Sequence, residues 1–207
     1  MNRSAYTLIY TFVLTVVFVA ATSAVAVLLR PRIDLNERLR EKRVVLEVAG
    51  LLKGRDLDAQ AIDDLYDSRI SRLTDRDTQD LLILAVDGGR NGYVLKTGGQ
   101  GYWGPIEGYV GVDADLEKIT GIAFVKHVET PGLGGEITKS TFRDQFKGRS
   151  PREAVGDEPM IEFVPPDAER TEWQVHAITG ATRTSTAVEA FLDRDLRTFL
   201  AVMKQGK

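Results

Sequence analysis

Two short stretches of this 207-residue chain combine residue types and spacings that could do chemistry. The first is Ala177-Ile178-Thr179-Gly180-Ala181-Thr182-Arg183-Thr184-Ser185-Thr186, a run of hydroxyls directly ahead of a segment with helical apolar spacing. A helix N-terminus offers unpaired N–H groups and the positive end of a dipole, so a hydroxyl there can hold a phosphate or be esterified by one. The plainer reading is a helix start, with Thr186 and Glu189 at capping-box spacing. That accounts for Thr186 and leaves the rest of the run unexplained.

The second stretch is His127-Val128-Glu129-Thr130-Pro131-Gly132-Leu133-Gly134-Gly135, immediately after a strand-like run. Pro131-Gly132 suits a type II turn, in which proline fixes φ and glycine takes the positive φ that follows. The functional reading is a glycine-rich loop whose backbone can approach a flat ligand, with Glu129 and Thr130 supplying polar contacts and Gly132, Leu133 and Gly134 the close surface. It is not a dinucleotide fingerprint, because position 137 is Ile and no βαβ unit surrounds it. The chain's two histidines, His127 and His176, flank the two stretches. His127, Glu129 and His176 are thin material for a metal site, and none is expected. With no cysteine in the chain, disulfides, thiolate metal sites and thiol mechanisms are excluded, so redox chemistry here requires an organic cofactor. Tyr102 and Trp103, in a glycine-rich strand region, read first as ordinary core, with packing beside a bound ligand as the second reading.

The elements that must position these stretches are legible in outline. From Ala5 to Leu29 there is no charge, proline or glycine, long enough to cross a bilayer as a helix. Ala24-Val25-Ala26 resembles a signal-peptide cleavage site, but the apolar run continues to Leu29 behind a thin charged leader, which favours a retained anchor. Leu35 to Leu52 has helical spacing after Pro31, and a second, Asp- and Arg-rich helix is expected over about Asp58 to Ile83 with Ile62, Leu65, Tyr66 and Ile70 as its apolar stripe. Glycines from Gly88 onward then punctuate strands: Tyr93-Val94-Leu95, a hairpin of Ile106 to Val112 and Ile119 to Val128 joined across Asp113 to Lys118, Ile161 to Val164, and Trp173 to Val175. A helix is expected at about Ile137 to Phe146 and a closing amphipathic helix over Thr186 to Met203. The grouping predicts an α+β fold with a largely antiparallel sheet and flanking helices, preceded by one N-terminal transmembrane helix. The expected division is 1–30 anchor, 31–96 helical linker and packing region, and 97–207 ligand-binding domain.

Charge limits the partners. Setting aside Arg3 and Arg30, the 27 basic residues fall to 25, against 30 acidic ones, so the body is acidic and has no composition for nucleic-acid binding. Arg30, Arg32, Arg38, Arg40, Lys42 and Arg43 follow the apolar segment, whereas Arg3 alone precedes it. Counted literally, that bias holds the body in the cytoplasm, although long domains translocate despite flanking charge.

Thr179-Gly180-Ala181-Thr182 followed by Arg183-Thr184-Ser185 resembles the flavinylation motif of the FMN-binding domain family, and Glu129 to Gly135, ETPGLGG, resembles that family's second signature. The likeness extends along nearly the whole chain to the C subunit of the Na⁺-translocating NADH:quinone oxidoreductase, with the G subunit of the Rnf electron-transport complex as a relative. NERLREKRVVLEVAGL and HVETPGLGGEI favour the former; chain length is nearer the latter. The resemblance implies an electron-transfer subunit of an ion-translocating membrane oxidoreductase, without turnover alone, with FMN joined by a phosphodiester to Thr182. It also implies maturation by a separate flavin transferase, partner subunits that carry ion coupling, and a periplasm-facing flavin domain on the bacterial inner membrane. Thr184, Ser185 and Thr186 are the alternative acceptors. Family motifs carry aspartate three residues before the opening residue of the quartet, where this chain has His176. The reading of a different class is a membrane-tethered binding module without flavin.

Overall fold

The computed structural model describes residues 3–52, 54–73, 83–153, 156 and 158–205. It divides into two compact units, Met1–Arg40 and Glu41–Lys207. The first is the greater part of α1 (Arg3–Val48), which runs through Pro31 instead of starting afresh after it. Proline costs the helix one backbone hydrogen bond without forcing a break. Leu8, Phe12 and Leu28 are at least 70% exposed, and an 18-residue window reaches a mean hydropathy of 2.6. A helix this apolar is long enough to cross a membrane.

The second unit is built on a five-stranded antiparallel sheet in the order β1 (Ile70–Leu73), β2 (Ile83–Val86), β3 (Tyr93–Gln100), β4 (Pro105–Val112), β5 (Ile119–Lys126). Successive residues alternate between two apolar layers, as a strand's period of two requires. Leu95, Val110 and Ile122 join Val188, Phe191, Leu192 and Phe199 of the last helix. Val94, Tyr109 and Ala123 join Val45, Leu46 and Val48 of α1 and Ile62 of α2 (Ala59–Arg69) on the other face. Both faces are covered by helices, which is why the central strands read as continuous apolar runs.

The expected hairpin forms as β4 and β5. Its loop is held by Asp113 Oδ1, which accepts from the backbone of Glu117 (2.8 Å) and Lys118 (3.0 Å). Two expectations change. Helix α2, capped by Asp58 accepting from Ala61 N at 2.8 Å, ends at Arg69, and Ile70 opens a strand instead of completing a helical stripe. The part of that expected helix at 74–82 lies outside the described residues, and Ile83 begins β2. The segment 31–96 therefore supplies strands as well as helix. The helix expected at Ile137 to Phe146 is a chain of tight turns: 3₁₀ at Gly134–Thr138, a single helical turn α3 (Ser140–Arg143), and 3₁₀ at Asp144–Phe146. Ile137, Phe142 and Phe146 are buried as that spacing predicts, but Lys139 is extended and breaks the helix between them.

The strands β6 (Glu162–Val164) and β7 (Gln174–His176) pair in parallel, apart from the main sheet. From β7 a short turn leads into α4 (Thr182–Gln205), which starts four residues before the expected Thr186. The capping box does not form, because Glu189 Oε1 instead accepts from Phe163 N at 2.8 Å and ties α4 to β6. Ala181 occupies the capping position, its carbonyl accepting from Ser185 N at 3.0 Å.

Candidate functional site

The two stretches singled out by their chemistry meet at a cleft of about 330 Å³. One wall is the loop after β5, with Glu129, Thr130, Leu133 and Gly134; the second is Gly180, Ala181, Thr182, Arg183 and Thr184 at the start of α4. A third wall is the β3–β4 turn with Tyr102 and Trp103, the second of the two readings of that pair. These aromatics are not core: they are 46% and 62% exposed, their ring centroids 4.9 Å apart. The signal for them was their place between Gly101 and Gly104, in a turn rather than along a strand.

Glu129 joins the three walls. It is 4% exposed, accepts from Trp103 N at 3.0 Å through Oε1, and accepts from Thr184 Oγ1 at 2.6 Å through Oε2. Both oxygens are thus engaged by protein, so Glu129 braces the cleft whose lining it shares. Gly134 makes room for the brace, since a Cβ there would lie 2.5 Å from both Glu129 Oε2 and Thr184 Oγ1. The turn reading of the same loop also holds: Leu133 N donates to Thr130 O at 3.1 Å around Pro131 and Gly132, whose φ is +77°.

The hydroxyls of the run separate clearly. Thr184 and Ser185 are 3% and 2% exposed; the first donates to Glu129, and the second accepts from Ile178 N at 3.0 Å through Oγ. Thr182 is exposed, lines the cleft and is the first residue of α4. Thr186 is exposed but sits in the second turn, away from the cleft lining. Thr179 and Gly132 face a neighbouring groove of about 370 Å³ with Gln145 and Glu136. His176 is fixed elsewhere, its backbone N donating to Gln145 Oε1 at 2.9 Å and its Nε2 lying 3.0 Å from Ala168 O. His127 Nδ1 accepts from Glu129 N at 3.2 Å. Among the described residues no cluster of three or more His, Asp or Glu could hold a metal.

Arg183, to which its sequence context drew no attention, is the one cation lining the cleft among the described residues. Its guanidinium lies 4.9 Å from the centroid of the Tyr102 ring, a cation–π contact. A cation in the first turn opposes the helix dipole, and that misplacement was the available signal. The donor set suits a phosphate and a flat aromatic group together: an open hydroxyl, first-turn N–H groups and a guanidinium beside Leu133, Tyr102 and Trp103. These residues therefore fit FMN. The nearest displaced titration on α4 is Glu189, whose carboxyl is pushed up chiefly by burial, with Glu162 and Asp193 adding repulsion and the Phe163 N–H opposing.

Residues 101–196 match the family model of the FMN-binding domain. The chain is 26% identical to the C subunit of the Na⁺-translocating NADH-quinone reductase of Pseudomonas aeruginosa, with 97% of this chain and 96% of that one covered. It is 34% identical to the G subunit of the Na⁺-translocating ferredoxin:NAD⁺ oxidoreductase complex of Acetobacterium woodii, over 55% of this chain and 51% of that one. The crystal structure of the NADH-quinone reductase C subunit from Parabacteroides distasonis superposes with a TM-score of 0.66 at 26% identity, covering 83% of this chain and 95% of that one. The resemblance read from TGATRTS and ETPGLGG, and the α+β fold, are borne out.

Proposed function

We propose that this chain, whose residues 101–196 match the FMN-binding domain family, is the membrane-anchored, FMN-carrying electron-transfer subunit of an ion-translocating NADH:quinone oxidoreductase. The FMN is joined to Thr182 by a phosphodiester. The observation that carries the attachment site is the division among hydroxyls: Thr184 and Ser185 are buried and committed, whereas Thr182 opens into the cleft at the first residue of α4. In attachment, Thr182 Oγ loses its proton and forms a bond to the flavin nucleotide's phosphorus, from which the donor's leaving group departs. A separate flavin transferase supplies the donor and the catalysis.

Bound FMN supplies reversible electron uptake and release. The chain's own residues hold it. First-turn N–H groups of α4 favour the phosphodiester's negative charge, and Leu133 and the Tyr102–Trp103 pair offer an apolar surface. Glu129 keeps the three walls in register. An electron carrier needs this placement more than a proton-transferring pair of side chains, and ion coupling belongs to partner subunits because the apolar part of α1 carries no internal charge. The domain faces the periplasm of a bacterial inner membrane.

The test is the intact mass of the full chain, co-produced with a flavin transferase and purified in detergent, beside Thr182→Ala. The expected result is a gain of one FMN less water in the wild type and none in the variant. A gain that persists in Thr182→Ala moves the attachment to another hydroxyl. Absence of any gain, with a transferase active on a control substrate, favours a binding module without flavin. The G subunit of an Rnf-type complex is the second reading, favoured by the 34% identity over half of that relative, and the oxidant that reoxidises the loaded chain in reconstituted membranes separates the two.

A further inference from the structure

Resting on the reading that the cleft holds FMN, we propose that Arg183 sets the flavin's reduction potential, keeping it higher than the same cleft would without that cation. Arg183 is the cleft's one cation among the described residues, and it takes part in none of the ion pairs formed there. It is held by the face of Tyr102, 4.9 Å away, which fixes its position without neutralising it. A helix start disfavours a cation, and a negative charge in the cleft offsets that cost.

The cleft is small, about 330 Å³, and Arg183 is part of its lining, so the guanidinium acts on a ring held there over a short range, where salt screens least. Reduction of the oxidised ring by two electrons and one proton, with electrons from a reduced carrier in the partner subunits, leaves the ring one unit more negative. A fixed cation favours that product over the starting state. The phosphodiester's fixed negative charge acts in the opposite sense, and it is the same in wild type and in an Arg183 variant, so comparing the two isolates the guanidinium.

The experiment is a dithionite titration of the full chain in detergent, loaded with FMN by a transferase, comparing wild type, Arg183→Gln and Arg183→Lys at low and high salt. Intact mass establishes the loading of each. Arg183→Gln should disfavour the reduced form tenfold, a potential lower by about 30 mV for a two-electron couple. Arg183→Lys should stay near wild type. High salt should lower the wild-type potential towards that of the glutamine variant and move the variant little, a response that a purely structural role for Arg183 does not produce. A loaded Arg183→Gln with the wild-type potential overturns the proposal, as does an equal salt response in the two proteins. So does an Arg183→Gln that takes no flavin while the wild type does, since the residue then serves attachment. A wild type that takes no FMN fails at the underlying reading instead.

Discussion

At the scale of single residues, the cleft is organised by a buried carboxylate held from two sides. Glu129 is deep enough that each of its oxygens needs a donor, and it finds one on each side, Trp103 N and Thr184 Oγ1. Replacing Thr184 by Val keeps the shape and removes the hydroxyl, leaving Oε2 buried without a partner. The expected cost is about 1–3 kcal/mol of stability, read from denaturant unfolding of the full chain. The mass gain at Thr182 should survive in Thr184→Val, because Thr184's hydroxyl faces inward. Loss of the gain without loss of stability would make Thr184 the acceptor. Sequence identified Glu129 and Thr184 as site residues but not as partners, since spacing along a chain cannot show that a carboxylate meets a hydroxyl 55 positions away. Arg183 was given no role, and Tyr102 and Trp103 only a second reading beside the ligand, for a related reason: they meet across two loops, and each alone is ordinary in composition.

Among the elements, period and punctuation were informative where one strand or helix buries one face, and failed where tertiary pairing decides. The β4–β5 hairpin was legible because apolar runs flank a loop with Asp113. Ile70 to Leu73 was not, because its partner strand is Ile83 to Val86, beyond an intervening stretch of chain, and local composition favours helix. The start of α4 was missed because Thr186 and Glu189 form a plausible cap, whereas Glu189 instead secures β6. That tie makes a pH-dependent prediction. Burial raises Glu189's carboxyl above its ordinary value of 4.5, so the folded state binds this proton more tightly than the unfolded chain. The group therefore weighs against folding once pH rises from the unfolded value through the higher folded one, and is neutral in effect below both. Glu189→Gln removes the charge and keeps an oxygen to accept from Phe163 N. It should unfold at higher denaturant than wild type near pH 7, with the gap closing as pH falls to about 4. A gap of the same size at both ends would show that burial of the charge is not the cause.

Across the whole molecule, the resemblance to the NADH-quinone reductase C subunit extends from end to end, and the helix of Tyr6–Val48 is long and apolar enough to cross a membrane. The sidedness of the body is where two physical effects oppose each other. Six basic residues from Arg30 to Arg43 favour the cytoplasm, while the body that follows is of a length that translocates regardless of flanking charge. On the proposed reading the second effect wins and the flavin domain is periplasmic. The absence of cysteine makes this directly measurable, because one introduced thiol is unique in the chain. Lys118 is exposed in the β4–β5 loop, and that loop is held by its backbone N donating to Asp113 Oδ1 at 3.0 Å, a bond that survives a change of side chain. Lys118→Cys should therefore fold as wild type and react with a membrane-impermeant maleimide in intact spheroplasts. Reaction only after lysis would put the body in the cytoplasm, and the charge count, not the domain's length, would then have governed insertion.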